Sequence, residues 1–84
     1  MYYVYILQSV KTGRLYKGST EDLRERFAEH NRRKVRATRM GVPWRLVYYE
    51  AFMNKTDTRR EELFLKTGKG RERIKYLLSQ TLKV

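Results

Sequence analysis

Two polar residues fall on the side of a predicted helix that should be apolar. At about 100° per residue, Arg26 and His30 lie on the same side as the large apolar residues Leu23 and Phe27. A helix seldom turns an arginine and a histidine toward a sheet unless a site there needs them. The alternative is a satisfied, partly buried His30 beside an Arg26 whose side chain extends past the edge of the core. The spacing alone leaves both interpretations open.

A carboxylate occupies a similar place on the next predicted helix. With Glu61 at zero, Phe64 lies at about −60° and Leu65 at about +40°, which puts Glu61 inside the apolar arc. Glu62 falls at the margin of that arc, at about 100°. An inward carboxylate is costly unless it meets a cation, either a Lys or Arg side chain or a metal ion. A buried ion pair between Glu61 and Arg26 is therefore the alternative to a metal site.

Tyrosines supply a third type of reactive group. Tyr3, Tyr5 and Leu7 alternate onto one face of a predicted strand, and Tyr16 lies on the strand that follows. For any one of these tyrosines, packing in the core is the more common role. Together with an arginine, a histidine and a carboxylate, however, phenols are suited to cleaving a phosphodiester. The arginine would neutralise the phosphate, the carboxylate would hold a divalent cation, and a phenol or imidazole would take a proton from water.

Composition restricts the class of protein further. The 84 residues include 20 Lys and Arg, 9 Asp and Glu, one His and no Cys, and the net charge is +11 at pH 7. We expect one folded domain over residues 1–84, since so short a chain closes only one core. Disulfide scaffolds, thiol nucleophiles and multi-histidine metal sites are excluded. We expect too few ligands for a two-metal carboxylate site as well, which leaves a one-metal mechanism. No apolar run is long enough to span a membrane and no signal peptide is evident, so we expect a cytoplasmic protein.

The positive charge is concentrated in two segments. No acidic residue lies between His30 and Tyr49, a stretch rich in Lys and Arg, and only Glu72 is acidic between Leu63 and the end of the sequence. Basic stretches with interleaved aromatic residues are typical of nucleic-acid binding. The alternative is a solvated surface kept apart from other molecules by repulsion. The candidate nucleic-acid contacts are Lys17, Arg33, Lys34, Arg36 and Arg39.

The order of elements predicts an α+β fold. A strand over Tyr2–Leu7 and a partner over Arg14–Gly18 form a hairpin, and Trp44–Met53 forms a third strand that is apolar on both faces. The first helix is capped by Ser19 or Thr20 and ends near Asn31, and a basic loop follows over 32–43. The second helix is capped by Thr56, Asp57 or Thr58 and ends at Thr67-Gly68. A third helix begins at Gly70 or Arg71. We therefore predict a three-stranded antiparallel sheet in the order ββαβαα, flanked by helices on both faces.

These segments resemble the GIY-YIG nuclease domain over nearly the whole chain, as in the N-terminal part of excinuclease C. The two signature segments correspond to Tyr3-Val4-Tyr5 and Tyr16-Lys17-Gly18. The first helix, with Arg26 followed by Glu29-His30-Asn31, resembles the family's catalytic helix. The run Arg59-Arg60-Glu61-Glu62-Leu63-Phe64-Leu65-Lys66 resembles the helix that supplies the metal-binding glutamate, with Glu61 five residues before the lysine. Each tripeptide alone is weak, but the ordered set is specific.

The resemblance implies a role for each candidate residue. Tyr5 and Tyr16 would line the site, with Tyr16 as the general base. Arg26 would stabilise charge on the phosphate, and His30 would assist the base or orient water. Glu61 would bind Mg²⁺ or Mn²⁺.

The function implied is that of a divalent-metal-dependent DNA endonuclease of low sequence specificity. We expect it to need no small-molecule cofactor, to bind no membrane, and to act as a monomer or a transient dimer. The alternative is a catalytically silent nucleic-acid-binding module of the same fold, acting within a DNA-repair or mobile-element complex.

Overall fold

A three-stranded antiparallel sheet forms the centre of the molecule. The computed structural model describes residues 1–83. Its strands are β1 (Tyr2–Ser9), β2 (Leu15–Thr20) and β3 (Trp44–Phe52), in the spatial order β2-β1-β3. Four consecutive residues of β1, 4–7, are buried on both faces, as expected for a central strand covered on both sides.

A bulge in β3 changes which side chains face which layer. The register between β1 and β3 shifts between Ile6 and Leu7, so Val47 and Tyr48 both pack against the core beneath one face while Leu46 packs beneath the other. Simple alternation along the predicted strand would place Leu46 and Tyr48 on one face, and the structure shows that this is wrong. The extra residue of a bulge interrupts the period of two.

Helices cover both faces of the sheet, as the sequence predicts. The α-helix α1 (Leu23–Asn31) packs Leu23 and Phe27 on the face that carries Tyr5 and Leu7. On the other face lie α2 (Lys55–Leu65) and α3 (Gly68–Leu77), which pack against Val4 and Ile6. The predicted fold class, α+β with the order ββαβαα, is confirmed. No helix in the described part of the chain has the length and hydropathy needed to cross a bilayer.

The ends of several elements differ from the prediction. Ser19 and Thr20 stay in β2, and Asp22 caps α1 by accepting a hydrogen bond from the backbone N–H of Glu25 at 3.0 Å. Asn54 caps α2 through two backbone N–H groups, and Thr67 caps α3. The caps of α1 and α2 each lie at least two residues from the predicted ones, because several Ser, Thr, Asp and Asn residues compete for each position. The helix α3 begins at Gly68 and not at Gly70 or Arg71.

The basic segment between α1 and β3 is also more ordered than predicted. It contains a 3₁₀ helix, η1, over Arg36–Gly41. Arg33 has a φ of 61°, in the left-handed region that commonly terminates helices. Thus α1 ends, and η1 then leads the chain back to β3.

Gly70 allows α2 and α3 to approach closely, and this provides a first prediction. A Cβ at this position would overlap the backbone oxygen of Phe64 and the Cα of Leu65. We expect Gly70→Ala to lower the free energy of unfolding by about 1–3 kcal/mol, since backbone atoms must shift. Gly68→Ala is the matched control, because a Cβ there meets nothing within 4 Å. Urea unfolding of both variants measures the difference, and equal stabilities would contradict the close approach.

Candidate active site

A buried chain of hydrogen bonds links β1, α1 and η1. The hydroxyl of Tyr5 lies 2.8 Å from Nε2 of His30, and Nδ1 of His30 lies 2.7 Å from Oγ1 of Thr38. All three residues are almost completely buried, with His30 at 0% exposure. The Thr38 hydroxyl donates to the carbonyl of Val35 at 3.4 Å, so we assign the ring proton to Nδ1, with Nε2 accepting from Tyr5.

The surroundings of this chain of hydrogen bonds keep His30 and Tyr5 uncharged. Burial, reinforced by the positive charge of Arg26, lowers the pKa of His30 to about 4. Burial also raises the pKa of Tyr5 to about 12, with contributions in the same direction from Tyr16 and Glu62 and an opposing one from Arg26. At neutral pH the imidazole is therefore neutral and the phenol of Tyr5 is protonated. Neither group is suited to taking a proton directly from water.

Tyr16 and Arg26 are the more accessible members of the cluster. The ring of Tyr16 packs 5.1 Å from that of His30 and 6.4 Å from that of Tyr5, measured between centroids. Its hydroxyl makes no hydrogen bond to another residue within 1–83. Arg26, whose side chain is 38% exposed, pairs with Glu29 at 3.1 Å. The structure thus brings together four of the predicted residues, with two of them facing solvent.

Gly18 makes room for this arrangement. It lies directly opposite Tyr5 across the β1–β2 ladder, and a Cβ built there would lie 2.5 Å from the Tyr5 hydroxyl and 3.2 Å from the ring of Tyr16. Any larger side chain would displace the phenol that bonds to His30. The position of Tyr5 therefore requires a glycine at position 18, the last residue of the second signature segment.

Glu61 does not join the cluster, which overturns the predicted orientation of this residue. It lies beside Glu50 and Phe52 in a depression between β3 and α2, and it forms no ion pair with Arg26. The inward carboxylate is that of Glu62, which is 5% exposed and accepts a hydrogen bond of 2.6 Å from the hydroxyl of Ser19.

The error has a specific cause in the packing of α2. The prediction treated Phe64 and Leu65 as equally buried, but Phe64 is 38% exposed and Leu65 is 1% exposed. The buried side of α2 consists of Thr58, Glu62 and Leu65, which lie at about 60°, 100° and 40° from Glu61. The spacing of 58, 62 and 65 was the signal that could have identified Glu62. Because Thr58 is polar, an analysis of apolar residues alone did not reveal this buried side of the helix.

Glu62 is held by three donors. Its Oε1 accepts from Ser19 and from Arg59 at 2.9 Å, and its Oε2 accepts from Lys66 at 2.9 Å. Burial by itself favours the protonated carboxyl, but the hydrogen bonds from Ser19, Lys66 and Arg59 outweigh it, so the pKa of Glu62 is lowered. The carboxylate is therefore ionised at neutral pH.

These contacts bear on whether the site can hold a metal ion. Within residues 1–83 there is no group of three or more His, Cys, Asp or Glu that could bind one. Mg²⁺ often binds through one or two carboxylates, with water and substrate phosphates completing its coordination. An ionised Glu62 fits that kind of site, provided that Lys66 or Arg59 moves aside. Both are long side chains, 46% and 61% exposed, so they are free to do so.

A shallow cleft lies between Arg26 and β2, the strand whose Ser19 donates to Glu62. Its volume is about 350 Å³, and it is lined by Ser19, Thr20, Asp22, Glu25, Arg26 and Glu29. The acidic residues of the lining are already engaged. Asp22 caps α1, Glu25 pairs with Arg32 and Glu29 with Arg26. The cleft runs beside β2, with the Tyr5–His30 cluster on one face of that strand and Glu62 on the other.

The candidate nucleic-acid contacts fall into two places. Arg33, Lys34, Arg36 and Arg39 are exposed on the segment between α1 and β3. This segment is fixed from within, because the backbone oxygen of Thr38 accepts a hydrogen bond of 2.8 Å from the indole of Trp44. Lys17 lies apart from these residues, on the face of β2 that packs against the α2–α3 layer.

Sequence reasoning missed Thr38 and Ser19 as well as Glu62. Thr38 completes the hydrogen bonds of His30, and Ser19 orients Glu62. Thr38 stands in a basic segment without periodicity, so no pattern indicated that it is buried. Ser19 was interpreted as a helix cap and not as a strand residue.

Comparison with known families defines the class of this domain. Residues 1–75 match the family model described as the GIY-YIG catalytic domain, and a domain of that class implies a nuclease-type function. No solved structure matches the chain.

Curated relatives narrow the assignment. The chain is 34% identical over 84 residues to the UPF0213 protein CPE1444 of Clostridium perfringens, covering 99% of this chain and 89% of that protein. It is 37% identical over 79 residues to the UPF0213 protein in the ldhD 5′ region of Pediococcus acidilactici, covering 90% and 80%. It is 40% identical over 78 residues to the UPF0213 protein SpyM3_1077 of Streptococcus pyogenes, covering 89% and 83%. The chain belongs to the GIY-YIG family and is similar to its UPF0213 members.

The environment of His30 predicts its titration. Its pKa of about 4 lies below the ordinary 6.5, so the neutral ring stabilises the fold fully above pH 6.5. This stability is lost as the pH falls toward 4, because unfolding then releases the ring to bind a proton. His30 is the single histidine, so its NMR titration is free of overlap. A midpoint near 6.5 in the folded protein would contradict the buried chain of hydrogen bonds.

Proposed function

We propose that this domain is a divalent-metal-dependent endonuclease that hydrolyses phosphodiester bonds in DNA with low sequence specificity. The observation that carries the proposal is the grouping around β2. Partly exposed Tyr16 and Arg26 lie beside the neutral Tyr5–His30 pair, and an ionised, buried Glu62 lies across the same strand.

Tyr16 is the better candidate for the general base. Tyr5 is buried, has a raised pKa and donates to His30, whereas Tyr16 is partly exposed. In its deprotonated form Tyr16 would take a proton from water while the water oxygen attacks phosphorus. The opposite P–O bond then breaks, and the leaving oxygen takes a proton from solvent. His30 acts here as a positioning residue, because it holds Tyr5 against the ring of Tyr16.

Arg26 would bind the phosphate. Its present partner is Glu29 at 3.1 Å, in an ion pair with both side chains about one-third exposed. A surface pair of this kind is weak, at about 0–1 kcal/mol. A phosphodiester can therefore replace Glu29, and the guanidinium would stabilise the charge that accumulates in the transition state.

Glu62, and not Glu61, would hold the metal ion. When bound there, Mg²⁺ or Mn²⁺ supplies Lewis-acid neutralisation of charge on the phosphate oxygens. What the chain itself contributes is an ionised carboxylate, kept in place by the Ser19 hydroxyl.

A second candidate function is supported by the same carboxylate. Both oxygens of Glu62 are neutralised by the protein's own cations, Arg59 and Lys66. If these pairs persist in the presence of metal, the domain would bind nucleic acid without cleaving it, as a silent module.

A pair of glutamate variants tests the catalytic proposal. We expect Glu62→Gln to reduce cleavage at least about 100-fold, because a neutral amide would bind the metal ion that neutralises the phosphate far more weakly. Glu61→Gln is the matched control, one residue away and on a different face, and should retain cleavage. The assay uses labelled duplex, flap, fork and single-stranded DNA with Mg²⁺, Mn²⁺ or EDTA. Loss in Glu61→Gln alone would restore the original assignment, and no cleavage under any condition would favour the silent module.

The basic segment between α1 and β3 generates a prediction about binding. Neutralising Arg33, Lys34 and Arg36 to Gln should weaken affinity for all DNA sequences alike. It should also flatten the log–log dependence of affinity on salt by up to about 0.9 for each phosphate that the variant no longer neutralises.

The control for this triple variant removes the same charge elsewhere. Lys11, Lys55 and Lys83 are exposed, and changing them to Gln should leave the salt slope nearly unchanged. Equal slopes in the two triple variants would show that the segment is not the DNA-binding surface.

A further inference from the structure

A groove with an apolar floor and a basic rim lies between β2 and α3. We call it the β2–α3 groove. Its volume is about 490 Å³, within the range of clefts that bind small ligands, about 300–1,000 Å³. Leu15, Ile74 and Leu82 form the apolar part of its lining, and Lys17, Arg71 and Lys75 form the basic part. Among the residues that the structure describes, no acidic side chain lines it.

The positive charge on the rim is uncompensated. Lys17, Arg71 and Lys75 form no ion pair with any residue in 1–83. The pKa of Lys17 is lowered, first by burial and then by the positive charges of Arg71 and Lys66. The first turn of α3 contains no acidic residue, in contrast to those of α1 and α2. Repulsion of this kind costs stability unless an anion is bound.

The groove opens next to the proposed active site. Lys66 is a charged neighbour of Lys17 and also donates to Glu62 at 2.9 Å. Lys17 and Ser19 lie on the same face of β2, and Ser19 bonds to Glu62. A nucleic-acid strand with one phosphate at Glu62 would therefore place a neighbouring nucleotide at the rim.

We propose that the β2–α3 groove binds one unpaired nucleotide, with its base on the Leu15–Leu82 floor and its phosphate at Lys17 and Arg71. Within a duplex the faces of a base are covered by its stacked neighbours, so only an unpaired base can lay a face on this floor. This inference rests on the proposed function in assigning the groove to the substrate strand. It adds that the substrate is single-stranded next to the cleaved bond.

Binding in EDTA tests the groove independently of cleavage. The probes are a fluorescein-labelled oligothymidylate and an abasic oligomer of the same length, which carries the same phosphates without bases. We expect the full chain to bind the oligothymidylate at least about fivefold more tightly, because one base buries a face against the aliphatic floor. The double variant Lys17→Ala/Arg71→Ala should weaken binding of both probes, because it removes two cations that bind phosphate.

Leu82→Gln separates contact with the base from contact with the phosphate. This substitution should weaken binding of the oligothymidylate to the level of the abasic oligomer. Binding of the abasic oligomer should stay unchanged. Met53→Gln, an equivalent change at a residue 88% exposed and outside the groove, is the matched control. Circular dichroism checks that each variant is folded.

Two results would overturn the proposal. One is equal binding of the two probes by the unchanged protein, which decides the matter even if Leu82→Gln does not fold. The other is a preference for the base that survives in a folded Leu82→Gln variant. If the unchanged protein cleaves no DNA but still binds the oligothymidylate more tightly than the abasic oligomer, the nuclease proposal fails and the groove proposal stands.

Discussion

The complete burial of one imidazole constrains the rest of the site. An imidazole without solvent must satisfy both ring nitrogens inside the protein, and His30 does so with Tyr5 from the central strand and Thr38 from the 3₁₀ helix. Three separate elements, β1, α1 and η1, therefore meet at one ring. Tyr16 packs on the same ring, and the backbone of Thr38 fixes Trp44.

The predictable part of this structure is the part governed by long apolar patterns. The strand predicted over Tyr2–Leu7 follows from its β-branched and aromatic residues, and the helix carrying Leu23 and Phe27 follows from helical spacing. The inward position of His30 follows from the same helical angle. These features depend on burial of many side chains at once, so the sequence encodes them redundantly.

The features that escaped prediction depend on single contacts. The bulge at Val47 is one extra residue in an otherwise regular alternation, and each cap was one of several adjacent polar residues. The difference between Glu61 and Glu62 depended on whether Phe64 or Thr58 faces the sheet, which tertiary packing decides. Thr38 is fixed by His30 and Trp44, which lie eight and six residues away on other elements, so neither helical nor strand periodicity in its own segment could reveal it.

The two outer strands of the sheet also differ in how they meet other molecules. A strand with a free row of backbone groups can add a further strand from a neighbouring chain. The bulge in β3 breaks that row, and local twisting at a bulge turns an edge away from flat pairing. We expect this to disfavour sheet extension on this side in concentrated protein, and with it fibrillar aggregation. An added strand would then have to pair with β2, which is the strand that the proposed substrate would cover.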